Sequence, residues 1–200
     1  MKNYEYIIAS LPVLTQDGKA VSGTTEEDVI NGILDLCDTS DKARIAELRS
    51  GWDTEALDSA FYEKILKSRN RFIRTYYAYD LTARNAKVEY LNKALGRPEG
   101  MDVVSVAGFK ADPAHVAELR RVLAADDLIT REKGLDDACW KMIEETVLME
   151  LFSIDMILAF IAKLHIVCRW LKLDEQTGRE MFRRLVDEVR GTFAGVDYKG

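Results

Sequence analysis

The chain has little of what breaks helices and little of what builds familiar catalytic centres. Of 200 residues only three are proline and twelve are glycine, which leaves scant material for linkers. Three cysteines, Cys37, Cys139 and Cys168, stand far apart, and no CxxC occurs. That speaks against a disulfide framework and a zinc site, and it suits a reducing cytosol. The two histidines, His115 and His165, belong to no HExxH and to no His–Cys pair. GxSxG, GxGxxG and GxxxxGK[ST] are all missing, so nucleophile-elbow chemistry and phosphate-cradling loops have no support. Neither a metal nor another cofactor is expected, and His165 reads as a hydrogen-bonded core or rim residue. Positive charge is short as well. The net charge of −6 argues against a nucleic-acid partner, whose phosphates call for a basic surface.

The N-terminal MKNYEYIIASLPVL has too short an apolar run and too weak a basic start for a secretory signal. The expected location is the cytoplasm. The strongest apolar stretch, TVLMELFSIDMILAFIA from Thr146 to Ala162, carries Glu150 and Asp155. A spanning helix wants about 20 apolar residues, and a mid-span Asp costs about 3 kcal/mol. A buried core helix is therefore expected, with no direct membrane span.

What the sequence does contain is helix periodicity. With 48% apolar and 31% charged residues it reads as a single globular domain, residues 1–200. YEYIIASLP fits a short strand or a helical turn equally. Thr24 and Glu27 suggest a capping box, with Val29, Ile30, Ile33, Leu34 and Cys37 inward. A shorter helix is expected from a cap near Ser40 to Gly51. From Asp53 to Leu95 neither proline nor glycine occurs. Apolar positions there recur at steps of three and four. One helix of about 60 Å, or two broken near KSRNR, would satisfy the pattern. Gly96 and Pro98 end it. Asp112 and Pro113 mark a further helix start. Gly134 punctuates, and Asp136–Leu171 forms a second long uninterrupted segment, apolar nearly all round. An amphipathic helix follows over DEQTGREMFRRLVDEVRG, residues 174–191. The predicted fold class is all-α: two long helices with shorter ones packed on them, covering well over half the chain.

Two constellations stand out. Asp155 lies in FSIDMILAF, where a charge must be paired or neutralised. It reads as a structural polar residue touching a cation or a helix-terminal amide. The catalytic alternative is a small enzyme using Asp155 with Glu150 in a helical pocket. The run of Glu144, Glu145 and Glu150 reads as acids near a helix start. The other constellation is basic. Lys67 to Arg97 holds eight cations against two acids, a local +6 in a chain of −6. Tyr76, Tyr77, Tyr79 and Tyr90 interleave with them, a mixture found in protein interface cores. Arg84 and Lys87 share a helix face with Tyr77, away from an inward stripe of Tyr76, Tyr79, Ala83, Ala86 and Tyr90. The candidate partner-binding residues are Arg74, Tyr76, Tyr77, Arg84, Lys87, Lys93 and Arg97. Pairing of these cations with acidic helices of the same chain is the competing reading.

The stretch DLTARNAKVEYLNKALGRPEGMDVVSVAG, Asp80 to Gly108, resembles the repeat of the V-type ATP synthase C subunit, the component called d in eukaryotes. The likeness falls on Asp80, Leu81, Lys93, Gly96, Arg97, Pro98, Val103 and Gly108. MELFSIDMILAFIAKLHIVCRWL resembles a weaker second copy with Asp155 in the place of Asp80, giving pseudo-repeats about 53–110 and 135–191. The chain as a whole is similar to bacterial proteins encoded among V-type ATPase subunits, on the marks YxYIIASLPxL, GRPEG and FSIDMILAFIAKLHIVCRWLKLDEQTG. The resemblance implies a non-catalytic assembly or rotor-coupling subunit of an ion- or proton-transporting rotary ATPase. Its partners would be stalk or membrane-ring subunits, and it would sit peripheral to the inner membrane through that complex. Asp80 and Asp155 would be structural polar residues.

Overall fold

The structure, a computed structural model, describes residues 3–16, 24–53 and 57–172. Eight α-helices hold 69% of the described residues, and no strand occurs among them. The helices are α1 (Tyr4–Ser10), α2 (Glu26–Leu36), α3 (Thr39–Arg49), α4 (Ser59–Ile65), α5 (Arg71–Leu95), α6 (Pro113–Leu123), α7 (Leu128–Val147) and α8 (Ile154–Lys172). The all-α reading holds. The amphipathic segment expected at 174–191, and with it the end of the second pseudo-repeat, lies outside the described residues.

Local chemistry sets most boundaries. YEYIIAS is helical, which resolves the open choice at the N-terminus. The capping box of α2 is Thr25 with Asp28, one residue later than expected. Asp38, not Ser40, caps α3 through its side chain. Asp112 caps α6 with Pro113 in the first turn, as read. Gly96 ends α5 at φ 62°, a left-handed conformation that costs glycine nothing.

The Asp53–Leu95 segment is two helices. Asn70 makes the break: its side chain accepts the Ile73 N–H and starts α5 anew. The Asp136–Leu171 segment is also divided, at 148–153, with neither glycine nor proline at the turn. There α7 folds back onto α8, as Lys163–Glu144 (3.3 Å) at one end and the Arg169–Asp136 pair at the other show. Gly134 does not punctuate; it lies inside α7. A Cβ there would come within 2.7 Å of Val122 Cγ1 on α6, so the glycine permits close approach of the two helices. Glu144 and Glu145 consequently sit near the C-terminal end of α7, not at a helix start. Glu144 is engaged through side chains, accepting from Trp140 Nε1 at 2.9 Å and pairing with Lys163.

α8 packs against α1, α2, α3, α5 and α7. Neighbours on so many sides explain why its middle is apolar nearly all round, and Ile157, Leu158, Ile161, Ala162 and Leu164 are completely buried. Among the described residues no helix is long and apolar enough to cross a membrane. α5 is the other hub, touching α4, α6, α7 and α8. The loop after it, 96–112, is held down by two asparagines of α5. Asn85 donates to the Val104 carbonyl (2.9 Å) and accepts the Val104 N–H (3.0 Å), and Asn92 donates to the Met101 carbonyl (2.6 Å).

Candidate functional site

The cations of α5 point in several directions, because neighbours surround that helix. Arg74 is half-buried and donates to the Ser68 carbonyl at 2.5 Å. Tyr76 is half-buried and packs edge-on against Tyr77, with ring centroids 5.2 Å apart. Tyr77 is not a surface anchor. It is 1% exposed, its hydroxyl donates to the Leu48 carbonyl and accepts the Gly51 N–H (3.1 Å), and it thereby fastens the end of α3 to α5. The inward stripe is also different from the expected one. Phe72, Ile73, Tyr77, Leu81 and Thr82 are buried with Tyr79 and Ala86, whereas Tyr76, Ala83 and Tyr90 are partly covered. The seven candidate partner residues therefore do not share one face.

Two places on the molecule collect five of them, Tyr76, Arg84 and Lys87 in one and Lys93 and Arg97 in the other. The first is a cavity of about 300 Å³ between α5, α7 and α8, walled by Tyr76, Asp80 and Arg84, by Glu132, Asp136 and Cys139, and by His165 and Arg169. Asp80 accepts the Tyr62 hydroxyl at 2.5 Å. Burial pushes its carboxyl above the ordinary value of 3.8; the Tyr62 bond and the charges of Arg84 and Lys87 pull the other way without cancelling it. Lys87 pairs with Glu132 (2.9 Å), as the intramolecular reading of the basic helix anticipated. Asp136 accepts Trp170 Nε1 (2.6 Å) and pairs with Arg169. His165 stacks on Trp52 with centroids 3.9 Å apart, and its Nδ1 lies 2.6 Å from Glu26, the rim role foreseen for it. Burial pushes Glu26 up, but the His165 bond and charge, with Lys172, hold it below its ordinary value. Burial also pushes the Cys139 thiol well up, which makes it a poor nucleophile. Among the described residues no group of side chains is arranged to hold a metal ion.

The second place is a groove of about 880 Å³ between the C-terminal end of α5, the following loop and α6. Tyr90, Lys93, Arg97, Glu99 and Arg120 line it. Arg97 faces Asp102 (3.4 Å) and Arg120 faces Glu89 (3.4 Å), all on the surface. Leu91 and Leu95 on the same end of α5 are 51% and 67% exposed.

Asp155 is buried, as expected, and its partner is neither a cation nor a backbone amide. Asn70 Nδ2 donates to its Oδ1 at 2.6 Å. Glu150 instead pairs with Arg71 at the surface (3.3 Å). The two carboxylates of the catalytic alternative thus answer to different partners. Asp80 lies mid-helix and Asp155 in the first turn of α8, so the two occupy different helical positions. Sequence reasoning passed over Tyr62, Asn70, Glu26 and Trp52. A polar Asn ahead of a helix-period run was a readable cap signal; the others gave none.

The described residues form a helical bundle with a polar pocket between α5, α7 and α8 and a basic, partly apolar groove at the end of α5. Residues 111–192 match a family described as "Protein of unknown function (DUF2764)". That stretch includes α6, α7 and α8 and begins at the end of the loop that follows α5. No curated protein and no solved structure matches the chain.

Proposed function

We propose that the protein is a non-catalytic assembly or rotor-coupling subunit of a V-type rotary ATPase, docking a stalk or membrane-ring component through the groove at the end of α5. One observation carries this reading. Of the eight residues that carry the resemblance to the V-type ATP synthase repeat, Lys93, Gly96, Arg97 and Pro98 at the end of α5 are exposed, while Leu81 is buried and Asp80 half-buried. Lys93 and Arg97 line the groove, and a packing role would have buried them. Arg and Tyr beside exposed leucines are the composition of an interface core with a charged rim. The cations would steer an acidic partner into place.

The test is capture of the rotary ATPase by the tagged full chain, compared with a Lys93→Glu/Arg97→Glu double variant. The wild type should retain stalk or ring subunits, the variant should lose most of them, and the difference should shrink as salt is raised. Equal retention by a folded double variant would defeat the groove assignment.

A further inference from the structure

The turn between α7 and α8 presents apolar side chains that the core does not use. α7 ends at Val147 and α8 begins at Ile154. Between them Leu148, Met149, Leu151 and Phe152 are 75%, 89%, 76% and 53% exposed. Burial resumes at once inside α8, where Ile154 and Ile157 are buried. Four large apolar side chains within five positions make a patch of the kind that marks a binding surface. Glu150, the acid among them, is held aside by Arg71 at 3.3 Å.

The turn that joins α4 to α5 lies against this one. Asn70 reaches Asp155 at 2.6 Å, and Arg71 donates to the Thr146 carbonyl at 2.9 Å. That neighbouring turn carries Lys67, Arg69 and Arg71, all exposed. Among the described residues neither Lys67 nor Arg69 belongs to an ion pair. On the apolar side Glu144 is paired with Lys163 and Glu150 with Arg71, while Glu145 is exposed. The unpaired charge around the patch is thus mainly positive.

We infer that this end of the molecule rests on an anionic phospholipid bilayer, with Leu148, Met149, Leu151 and Phe152 inserted among the headgroups and Lys67 and Arg69 over the lipid phosphates. Side chains of this length reach the boundary between headgroups and acyl chains, about 5–10 Å deep. Anionic lipids attract lysine and arginine held at the surface. Size favours lipid over protein, because a stable protein interface takes about 20–30 residues a side. Four side chains without a hydrogen-bonding group fall far short of that. The contact is shallow, since no described helix is long and apolar enough to cross a membrane. Arg71 opens α5 beside the patch, and the groove lies at the other end of that 25-residue helix, roughly 35 Å away. Either assignment can therefore fail alone.

The experiment is flotation of the full chain with vesicles of equal parts phosphatidylglycerol and phosphatidylcholine, beside vesicles of phosphatidylcholine alone. The chain should float with the anionic vesicles, and raised salt should lower the bound fraction. Met149→Ser/Leu151→Ser should weaken binding by about tenfold or more, the scale of one large apolar side chain returned to water. Both positions are exposed, so its Tm should stay close to that of the wild type. Lys67→Ser/Arg69→Ser should also weaken binding to the anionic vesicles by about tenfold. Should one double variant not fold, the other carries the test. No flotation, equal flotation with phosphatidylcholine alone, or flotation undiminished in the folded variants overturns the inference. Self-association that Met149→Ser/Leu151→Ser abolishes, in a chain that does not float, overturns it too and assigns the patch to a second copy.

Discussion

Asn70 and Asp155, 85 positions apart in the chain, are joined at 2.6 Å, and the same asparagine caps α5 through its Oδ1. One side chain thus starts one hub helix and satisfies a buried carboxylate in the first turn of the other. Asn70→Ala should cost about 2–4 kcal/mol, combining a lost cap with an unsatisfied buried acceptor. Asn70→Asp should keep the cap but set two carboxylates together, so it too should destabilise. Chemical denaturation of the two variants measures this. A loss below about 0.5 kcal/mol in both, the range of an ordinary surface substitution, would refute the role assigned to Asn70.

Tyr77 holds the end of α3 through its hydroxyl, not a partner through its ring. Tyr77→Phe leaves the Leu48 carbonyl and the Gly51 N–H without that hydroxyl. The expected cost is about 1–3 kcal/mol, with partner capture unchanged for whatever fraction stays folded. Full stability accompanied by lost capture would restore the tyrosine to the surface role that periodicity suggested.

Asp80 links stability to pH with a definite sign. Its folded-state carboxyl is raised above the ordinary value of 3.8. The native state therefore binds its proton more tightly than the unfolded chain does. The stability this gives is complete below about pH 3.8 and is lost as pH rises through the folded value. Asp80→Asn keeps an acceptor for Tyr62 and removes the buried charge. It should be more stable than wild type at pH 7, and that advantage should shrink towards pH 4. A variant that is less stable at pH 7, with the deficit closing at low pH, would mean the carboxylate is favoured in the folded state.

Local chemistry was the legible part of the fold. Asp112 with Pro113, and Gly96 before Pro98, mark helix ends through backbone constraints that need no knowledge of neighbours. The turn at 148–153 was hidden because it is imposed by α8 packing back on α7, while Leu148, Met149, Leu151 and Phe152 stand exposed where an apolar run suggested burial. Gly134 misled because its role is tertiary: it clears space for Val122. The inward face of α5 differs from the periodic one for a related reason. A 3.6-residue period identifies one buried stripe for one neighbour, and α5 has four packed helices around it. Tyr77 and Lys87 therefore found partners inside the molecule. Of the proposed docking set, Lys93 and Arg97 remain on the exposed end of the helix, beside the groove.

Lysine-directed cross-linking in the native cell, followed by mapping of the joined peptides, tests the proposed docking most directly. Lys93 is exposed at the groove, so it should be joined to a stalk or ring component of the V-type ATPase. Recovery of that ATPase with its subunits cross-linked to one another, and none to this chain, would contradict the account.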